Sequence, residues 1–346
     1  MNPSHKRKLG KTSASATQLG FGGAQIGDMF VKISNAQADQ VIRATYDAGI
    51  RYFDTSAWYG RGLSEHRLGQ FLRNQPRDSF VLSTKVGRVL YRPADPENFT
   101  ASESIGGLHF EYRWDFTYDG ILRSYEDSLL RLGMNRVDLL LIHDLDVTEH
   151  GSEEAVDHHF KNLCDGGWKA LEELRSCGEI QGIGAGINIV GMIPRFLENF
   201  DIDLFLIAMP YTLLDQDALD GDLPKCAERN VGVVVGAPFC SGILAAGAVK
   251  GATYNYAAAN EEVLTKVGRI QAVCERHEVP LTAAALQFPL GHASVASVIP
   301  GVFTVEQVEE NVRLMGIDIP AQLWDELKSE GLLHKDAPDP RDAPLV

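Results

Sequence analysis

Four residues whose types can do acid–base chemistry each stand at, or just beyond, the end of a short apolar run. Asp54 closes Tyr52-Phe53-Asp54, Tyr59 follows five residues later beside Gly60, Lys85 closes Phe80-Val81-Leu82-Ser83-Thr84-Lys85, and His143 closes Val137-Asp138-Leu139-Leu140-Leu141-Ile142-His143. A phenol with a pKa of about 10 is a poor proton carrier at neutral pH, but an adjacent ammonium favours the phenolate. Lys85 supplies that charge. A desolvated lysine tends to lose its proton unless a carboxylate faces it, and Asp54 fits. His143 can hydrogen-bond a substrate oxygen or share the proton work. Taken singly, each has a plainer reading: Asp54-Thr55 as a turn cap, Tyr59 as a core ring with a wet hydroxyl, Lys85 as a snorkelling end residue, His143 as a satisfied core histidine. All four at strand exits point to a site.

The elements needed to bring them together are parallel neighbouring strands. Lys6 to Thr17 reads as two short strands about a Gly-Lys-Thr-Ser turn, a hairpin able to plug one end of a barrel, and Gln18 to Gly23 as a strand exiting through glycines. Ser34 caps a helix through Ala48, Ser64 opens a second, and Val86 to Tyr118 is a long aperiodic loop with seven aromatic residues, Trp114 among them, suited to wall a small-molecule pocket. Helices follow at 119–133, 160–177, 217–229, 261–277 and 282–291, with a last one opening at Thr304. Strands are expected at 181–187, 204–208, 231–235 and 297–300, and residues 336–346 read as a surface tail. Eight apolar strands alternating with helices predict a single α/β domain over 1–346, a closed parallel (β/α)8 TIM barrel with an N-terminal β-hairpin and long substrate loops. The competing doubly wound sheet lacks its dinucleotide fingerprint, because Gly182-x-Gly184 and Gly184-x-Gly186 are each followed by isoleucine where the third glycine should stand. Arg51, Arg88 and Arg113 are the cations expected near the barrel mouth.

Composition narrows the function. A formal charge of −15 opposes binding to nucleic acid and to anionic membrane surfaces, and no apolar span is long enough to cross a bilayer. Five cysteines without a CxxC pair, and an N-terminal stretch without a signal-peptide core, predict a reducing, cytoplasmic setting. His150, His158 and His159 with Glu149 and Asp157 lack metal-ligand spacing, so no metal site is assigned. The sequence assigns no oligomeric state.

Gly49-x-Arg51-x-x-Asp54-Thr55-Ser56-x-x-Tyr59-Gly60, Ser64-Glu65-x-x-Leu68-Gly69, Thr84-Lys85 and Asp138-Leu139-x-x-Ile142-His143 together resemble the aldo-keto reductase superfamily over nearly the whole chain. The resemblance implies a nicotinamide cofactor held in extended form without a Rossmann domain. It implies Tyr59 as general acid/base, Asp54 and Lys85 tuning it, His143 orienting substrate, and Trp58 and Trp114 beside them in the substrate pocket. Asp115 to Gly133, Tyr211 to Gln216 and Gly236 to Leu244 look most like the aldose 1-dehydrogenase branch, which includes L-fucose and D-threo-aldose dehydrogenases and the similar pyridoxal 4-dehydrogenases. These oxidise a cyclic hemiacetal hydroxyl to a lactone.

For the cofactor, the resemblance implies contacts from Gly22, Gly23, Asp54, Phe239, Ser241, Gly242, Lys250, Gly301, Gln307, Glu310 and Asn311. Three departures stand out. Gly186-Ile187-Asn188 replaces the usual Ser-Asn, leaving Asn188 to hold the carboxamide; Ala208 replaces a glutamine; and Gly236 replaces the stacking tyrosine, so that Phe239 or a nearby ring takes its place. NADP-preferring members often carry cations at the positions of Gly301 and Gln307, and here both are uncharged. Thr304-Val305-Glu306-Gln307 also satisfies a capping box. NAD is therefore expected, with NADP the alternative, and the substrate is expected to be a free aldose. The rivals are pyridoxal, an NADPH-dependent reduction of aldehydes, and a cofactor-binding regulatory subunit.

Overall fold

A computed structural model describes residues 1–101, 104–255 and 257–341. The chain opens on an antiparallel hairpin of β1 (Lys6–Lys8) and β2 (Ser15–Thr17), followed by β3 (Phe21–Gly22), β4 (Tyr52–Asp54) and β5 (Val81–Val86). A second hairpin, β6 (Arg88–Tyr91) with β7 (Glu111–Trp114), precedes β8 (Leu139–His143), β9 (Gly182–Ile187), β10 (Leu204–Ala208) and β11 (Gly232–Gly236). A short pair, β12 (Thr253–Tyr254) and β13 (Ala257–Ala258), comes before β14 (Val295–Ile299). Eight of these strands lie in the order β3-β4-β5-β8-β9-β10-β11-β14, every neighbour parallel. Bridges from Leu19 to Val298 and from Gly22 to Gly301 join the two edges, so the sheet is a nearly closed TIM barrel with helices around it.

Strands covered on both faces read as continuous apolar runs, and β8 and β11 are buried throughout. Inside the barrel, Leu139, Leu141, Leu204, Leu206 and Val234 pack with Leu9, Ala14 and Ala16 of the first hairpin. The hairpin therefore plugs the N-terminal end, fastened by the Arg7 guanidinium donating to Leu290 O and Val295 O at 2.8 Å each. Its plugging role follows the sequence reading. So do the Ser34 cap of helix Asn35–Asp47, the Gly133 stop of helix Tyr118–Leu132 and the Thr304 cap of helix Val305–Met315.

Several expectations need correction. Residues 86–118 are not an aperiodic loop: β6 and β7 pair across them, hidden from the pattern because the inward side chain at its start is the charged Arg88. The second helix starts one residue before Ser64, as Leu63–Leu72 after Gly62, and the buried Ser64 hydroxyl donates to Gly23 O rather than capping the helix. The helix expected from Phe160 begins at Glu153 and passes through a π turn at Leu163–Gly167. Thr304 does not open the last helix, since Ala321–Ser329 follows. The tail also packs: Ala337 and Asp339 are buried, Asp339 accepting from the Arg341 side chain, while 342–346 lie outside the described residues. No helix among the described residues is long and apolar enough to cross a membrane.

Gly69 shows how tightly the outer layer is fitted. A Cβ there would collide with the Leu132 carbonyl, where helix Leu63–Leu72 crosses the end of helix Tyr118–Leu132. Gly69→Ala is expected to cost about 1–3 kcal/mol of stability through overpacking, read as a lower denaturant midpoint at unchanged slope.

Candidate active site

The C-terminal ends of β4, β5 and β8 bring the expected carboxylate, amine and imidazole into one mouth, and the loop after β4 brings the phenol. Lys85 Nζ donates to Asp54 Oδ2 at 2.6 Å, to Thr55 O at 2.9 Å and to Tyr59 Oη at 3.2 Å. An ammonium has three protons. Two are committed to fixed acceptors and the third is aimed at the phenol, whose ring centroid lies 4.6 Å from Nζ. Lys85 and Asp54 are both almost wholly buried. Burial pushes the Asp54 carboxyl up against the opposing pull of Lys85, and the Ser83 hydroxyl donates to its other oxygen at 2.7 Å.

The flanking motif residues hold these strand ends in place. Ser64 Oγ lies 2.8 Å from Thr55 Oγ1, and buried Glu65 accepts from Thr84 at 2.6 Å and from Arg131 at 2.5 Å. At the opposite end of β8, Asp138 accepts from Leu82 N at 2.7 Å, tying β8 to β5.

His143 stands edge to face with Tyr59, centroids 5.9 Å apart, and lies 6.1 Å from Trp58. Its Nδ1 is 3.0 Å from Ser56 Oγ and 2.8 Å from an Arg88 guanidinium nitrogen; its Nε2 is 3.2 Å from Asp144 Oδ2. Burial first, then the charges of Arg88 and Lys85, push this imidazole well below the usual histidine range. Arg88 lies between Trp58 and Trp114, 4.7 and 4.1 Å from their ring centroids, and also reaches Asp144 at 3.0 Å and Glu149 at 2.7 Å. Of the three arginines expected at the mouth, it alone is in the site. Arg51 bonds Tyr46 O ahead of β4, and Arg113 is exposed near Asp115. The sequence reading gave none of Ser56, Asp144 and Glu149 a place in the site: Ser56 stood only in the quoted motif, and Glu149 was weighed only as a metal ligand. The available signal for Asp144 was its place directly after His143.

The candidate cofactor residues follow β9, β11 and β14 and include the ends of β3 and β4. Asn188 Nδ2 donates to Asp144 Oδ1 at 3.0 Å. Phe239 is half-buried and leads into a left-handed run at Cys240, Ser241 and Gly242, φ +48°, +57° and +103°, that folds the loop after β11 back on itself. Lys250 is exposed. Gly23 N donates to Asp54 O at 2.9 Å, and Gly22 bridges Gly301, which lies against the Gln25 carboxamide. Gln307 Oε1 accepts from Phe303 N at 2.7 Å while its own N–H reaches Thr304 Oγ1, so its side chain serves the helix cap. Glu310 pairs with Arg313 at 2.6 Å, which holds its carboxyl below the usual range. Asn311 is 7% exposed.

His150 and His159 pack against Trp114 and Phe116 rather than around a cation, and burial lowers His150 to about 4. Among the described residues no group of three or more His, Cys, Asp or Glu is placed to hold a metal.

Comparisons with known proteins identify the family. Residues 18–330 match the aldo/keto reductase family. A pyridoxal 4-dehydrogenase of Microbacterium luteolum is 40% identical over 342 residues, spanning 96% of this chain and 99% of its own. A D-threo-aldose 1-dehydrogenase of a Pseudomonas species is 40% identical over 320 residues, spanning 91% and 94%. Among solved structures, the holo form of an aldo-keto reductase from Bacillus halodurans superimposes with a TM-score of 0.75 at 24% identity, covering 98% of this chain and 99% of that one, a likeness of fold. With the barrel, the clustered polar groups and a match that takes in almost the entire sequence, the chain is an oxidoreductase that belongs to the aldo/keto reductase family.

Proposed function

We propose that this chain is an NAD-dependent dehydrogenase, acting as one catalytic domain, that oxidises the ring hemiacetal hydroxyl of a free aldose to the lactone. The observation that carries the reading is the direction of the Lys85 ammonium: two protons held by Asp54 and Thr55, the third on Tyr59 Oη at 3.2 Å. Tyr59, as phenolate, removes the hydroxyl proton, and His143 holds the same oxygen. When bound, the nicotinamide supplies the hydride acceptor for the substrate carbon. Lactone leaves with the proton retained on Tyr59 and two electrons on the cofactor. Resemblance to D-threo-aldose 1-dehydrogenase supports an aldose.

The residues present fit a dinucleotide. Asn311, 7% exposed, offers a carboxamide, and the N-terminus of helix Val305–Met315 offers backbone N–H groups and the positive end of its dipole. Asn188 is assigned to the nicotinamide carboxamide, Phe239 to its ring, and Ser241 and Gly242 to the phosphates. Gly23 and Asp54 are assigned to the nicotinamide end, Gln307, Glu310 and Asn311 to the adenine end, and Gly22 and Gly301, bridged to each other, to the stretch between. That helix exposes Glu306, Glu309 and Glu310, and Gln307 is engaged in the cap, so a 2′-phosphate meets carboxylates rather than a free cation. NAD is expected to exceed NADP by about tenfold or more in kcat/KM, equivalent to about 1.4 kcal/mol. Equal use of both would remove the charge argument. All five cysteines are unpaired, which supports a reducing, cytoplasmic setting.

Pyridoxal is the second reading, favoured by the 40% identical pyridoxal 4-dehydrogenase that matches 96% of this chain. Its ring-closed form presents the same hemiacetal group. The deciding assay follows NADH absorbance with L-fucose, D-arabinose, D-galactose and pyridoxal, each with NAD and with NADP. Turnover of a sugar with NAD supports the first reading, and turnover of pyridoxal alone transfers the assignment to it. Silence from all four, with NADPH consumed by simple aldehydes, replaces both by a reductase.

A further inference from the structure

Arg88 is a buried cation that the proposed chemistry does not consume. It stands two residues past the end of β5, at the start of the hairpin β6–β7, and its side chain is 1% exposed. One of its guanidinium nitrogens lies 2.8 Å from His143 Nδ1 and 3.0 Å from Asp144 Oδ2, and another lies 2.7 Å from Glu149 Oε2. A guanidinium has donors and no acceptor, and it stays charged in proteins. The ring nitrogen facing it must therefore present a lone pair.

We propose that Arg88 is the positioning residue for His143, fixing the imidazole as the uncharged tautomer with its proton on Nε2 and keeping Asp144 from drawing a second proton onto the ring. The first part follows from hydrogen-bond polarity. With Nδ1 accepting from Arg88, a neutral ring carries its single proton on Nε2, where it can be donated to a substrate oxygen. The second part follows from charge. Asp144 Oδ2 lies 3.2 Å from His143 Nε2, and a lone carboxylate at that distance favours imidazolium. Arg88 touches the same carboxylate oxygen and neutralises it, while Asn188 Nδ2 occupies the other oxygen at 3.0 Å. Asp144 itself has a left-handed backbone, φ +46°, which places its carboxylate between these three side chains.

The groups around the ring come from four elements. Lys85 comes from β5, and Ser56, Trp58 and Tyr59 from the loop after β4. Arg88 comes from β6, and Asp144 directly follows β8. Asp54 and Glu149 act at one remove, through Lys85 and Arg88. The positive side of this set wins, since burial and the charges of Arg88 and Lys85 all disfavour imidazolium. Neutrality matters for the proposed reaction. Loss of hydride builds positive charge on the substrate carbon, and a cationic ring beside it opposes that step.

The decisive measurement is long-range proton–nitrogen NMR on the full-length protein with labelled histidine. His143 is identified among the ten histidines by the signals missing from His143→Gln. This readout needs no substrate, so it stands apart from the sugar reading, on which only the kinetic consequence rests. Expected for the wild type is a ring protonated on Nε2 alone that does not titrate between about pH 5 and 8, around the ordinary histidine value. In Arg88→Met the ring should gain charge as pH falls through that window, and kcat should fall further on the acid side than it does in the wild type. Arg88→Lys, which keeps a charge and a donor, should retain the Nε2 tautomer. Glu149→Gln, which cuts a different arm of the guanidinium, should leave the His143 signals as in the wild type.

A wild-type ring protonated on Nδ1, or titrating between pH 5 and 8, overturns the proposal without any Arg88 variant having to fold. So does an Arg88→Met protein, folded by circular dichroism, whose His143 tautomer and titration match the wild type.

Discussion

Tyr59→Phe is expected to lower kcat by about 10²–10⁴-fold while NAD affinity, measured by fluorescence titration, stays within about threefold. The substitution removes one oxygen and keeps the ring that stands edge to face with His143 and tilted against Trp58. What is lost is the proton acceptor facing Lys85 Nζ, so the effect belongs in the chemical step. Single-turnover hydride transfer should slow by the same factor as kcat if that step limits. Retention of wild-type turnover with a confirmed substrate would remove the acid–base assignment and return the cofactor-binding regulatory reading.

The barrel was legible because its strands are covered on both faces. Runs such as Leu139-Leu140-Leu141-Ile142 and Val233-Val234-Val235 have no polar face to hide, and the helices between them carry their stop and cap residues in plain order, Ser34 and Gly133 being two. The four polar residues stood out for the same reason, since a charge ending such a run has to be explained. The hairpin β6–β7 was illegible because the face that carries Arg88 sets a cation and two aromatic rings, Tyr112 and Trp114, beside a single aliphatic residue, Leu90. Asp144 and Glu149 were missed for a related cause: their importance lies in one guanidinium that arrives from a different strand. Packing of the C-terminal segment was hidden as well, because Pro- and Asp-rich composition suggests solvent, whereas Asp339 lies in a buried pocket between Arg341 and Lys328.

Lys85→Met tests the other half of the site, and its largest effect should be on stability. The variant is expected to lose turnover together with about 3–5 kcal/mol of unfolding free energy, the cost of leaving one member of a buried ion pair without its partner. Asp54 keeps the hydroxyl of Ser83 at 2.7 Å but loses the only cation within hydrogen-bond distance among the described residues. Burial already raises the Asp54 carboxyl above its ordinary value, and Lys85 is the largest influence holding it down. Removing Lys85 therefore raises it further. A carboxyl raised in the folded state binds its proton more readily there than when unfolded, so unfolding free energy increases as pH falls. The deficit should be full above the raised folded value, shrink as pH drops through it, and vanish below the unfolded value of about 3.9. Asp54→Asn introduced into Lys85→Met removes the stranded charge and should recover much of the stability at neutral pH while leaving the enzyme inactive. If the double variant is no more stable than Lys85→Met at neutral pH, the penalty comes from lost packing around the lysine stem rather than from the uncompensated carboxylate.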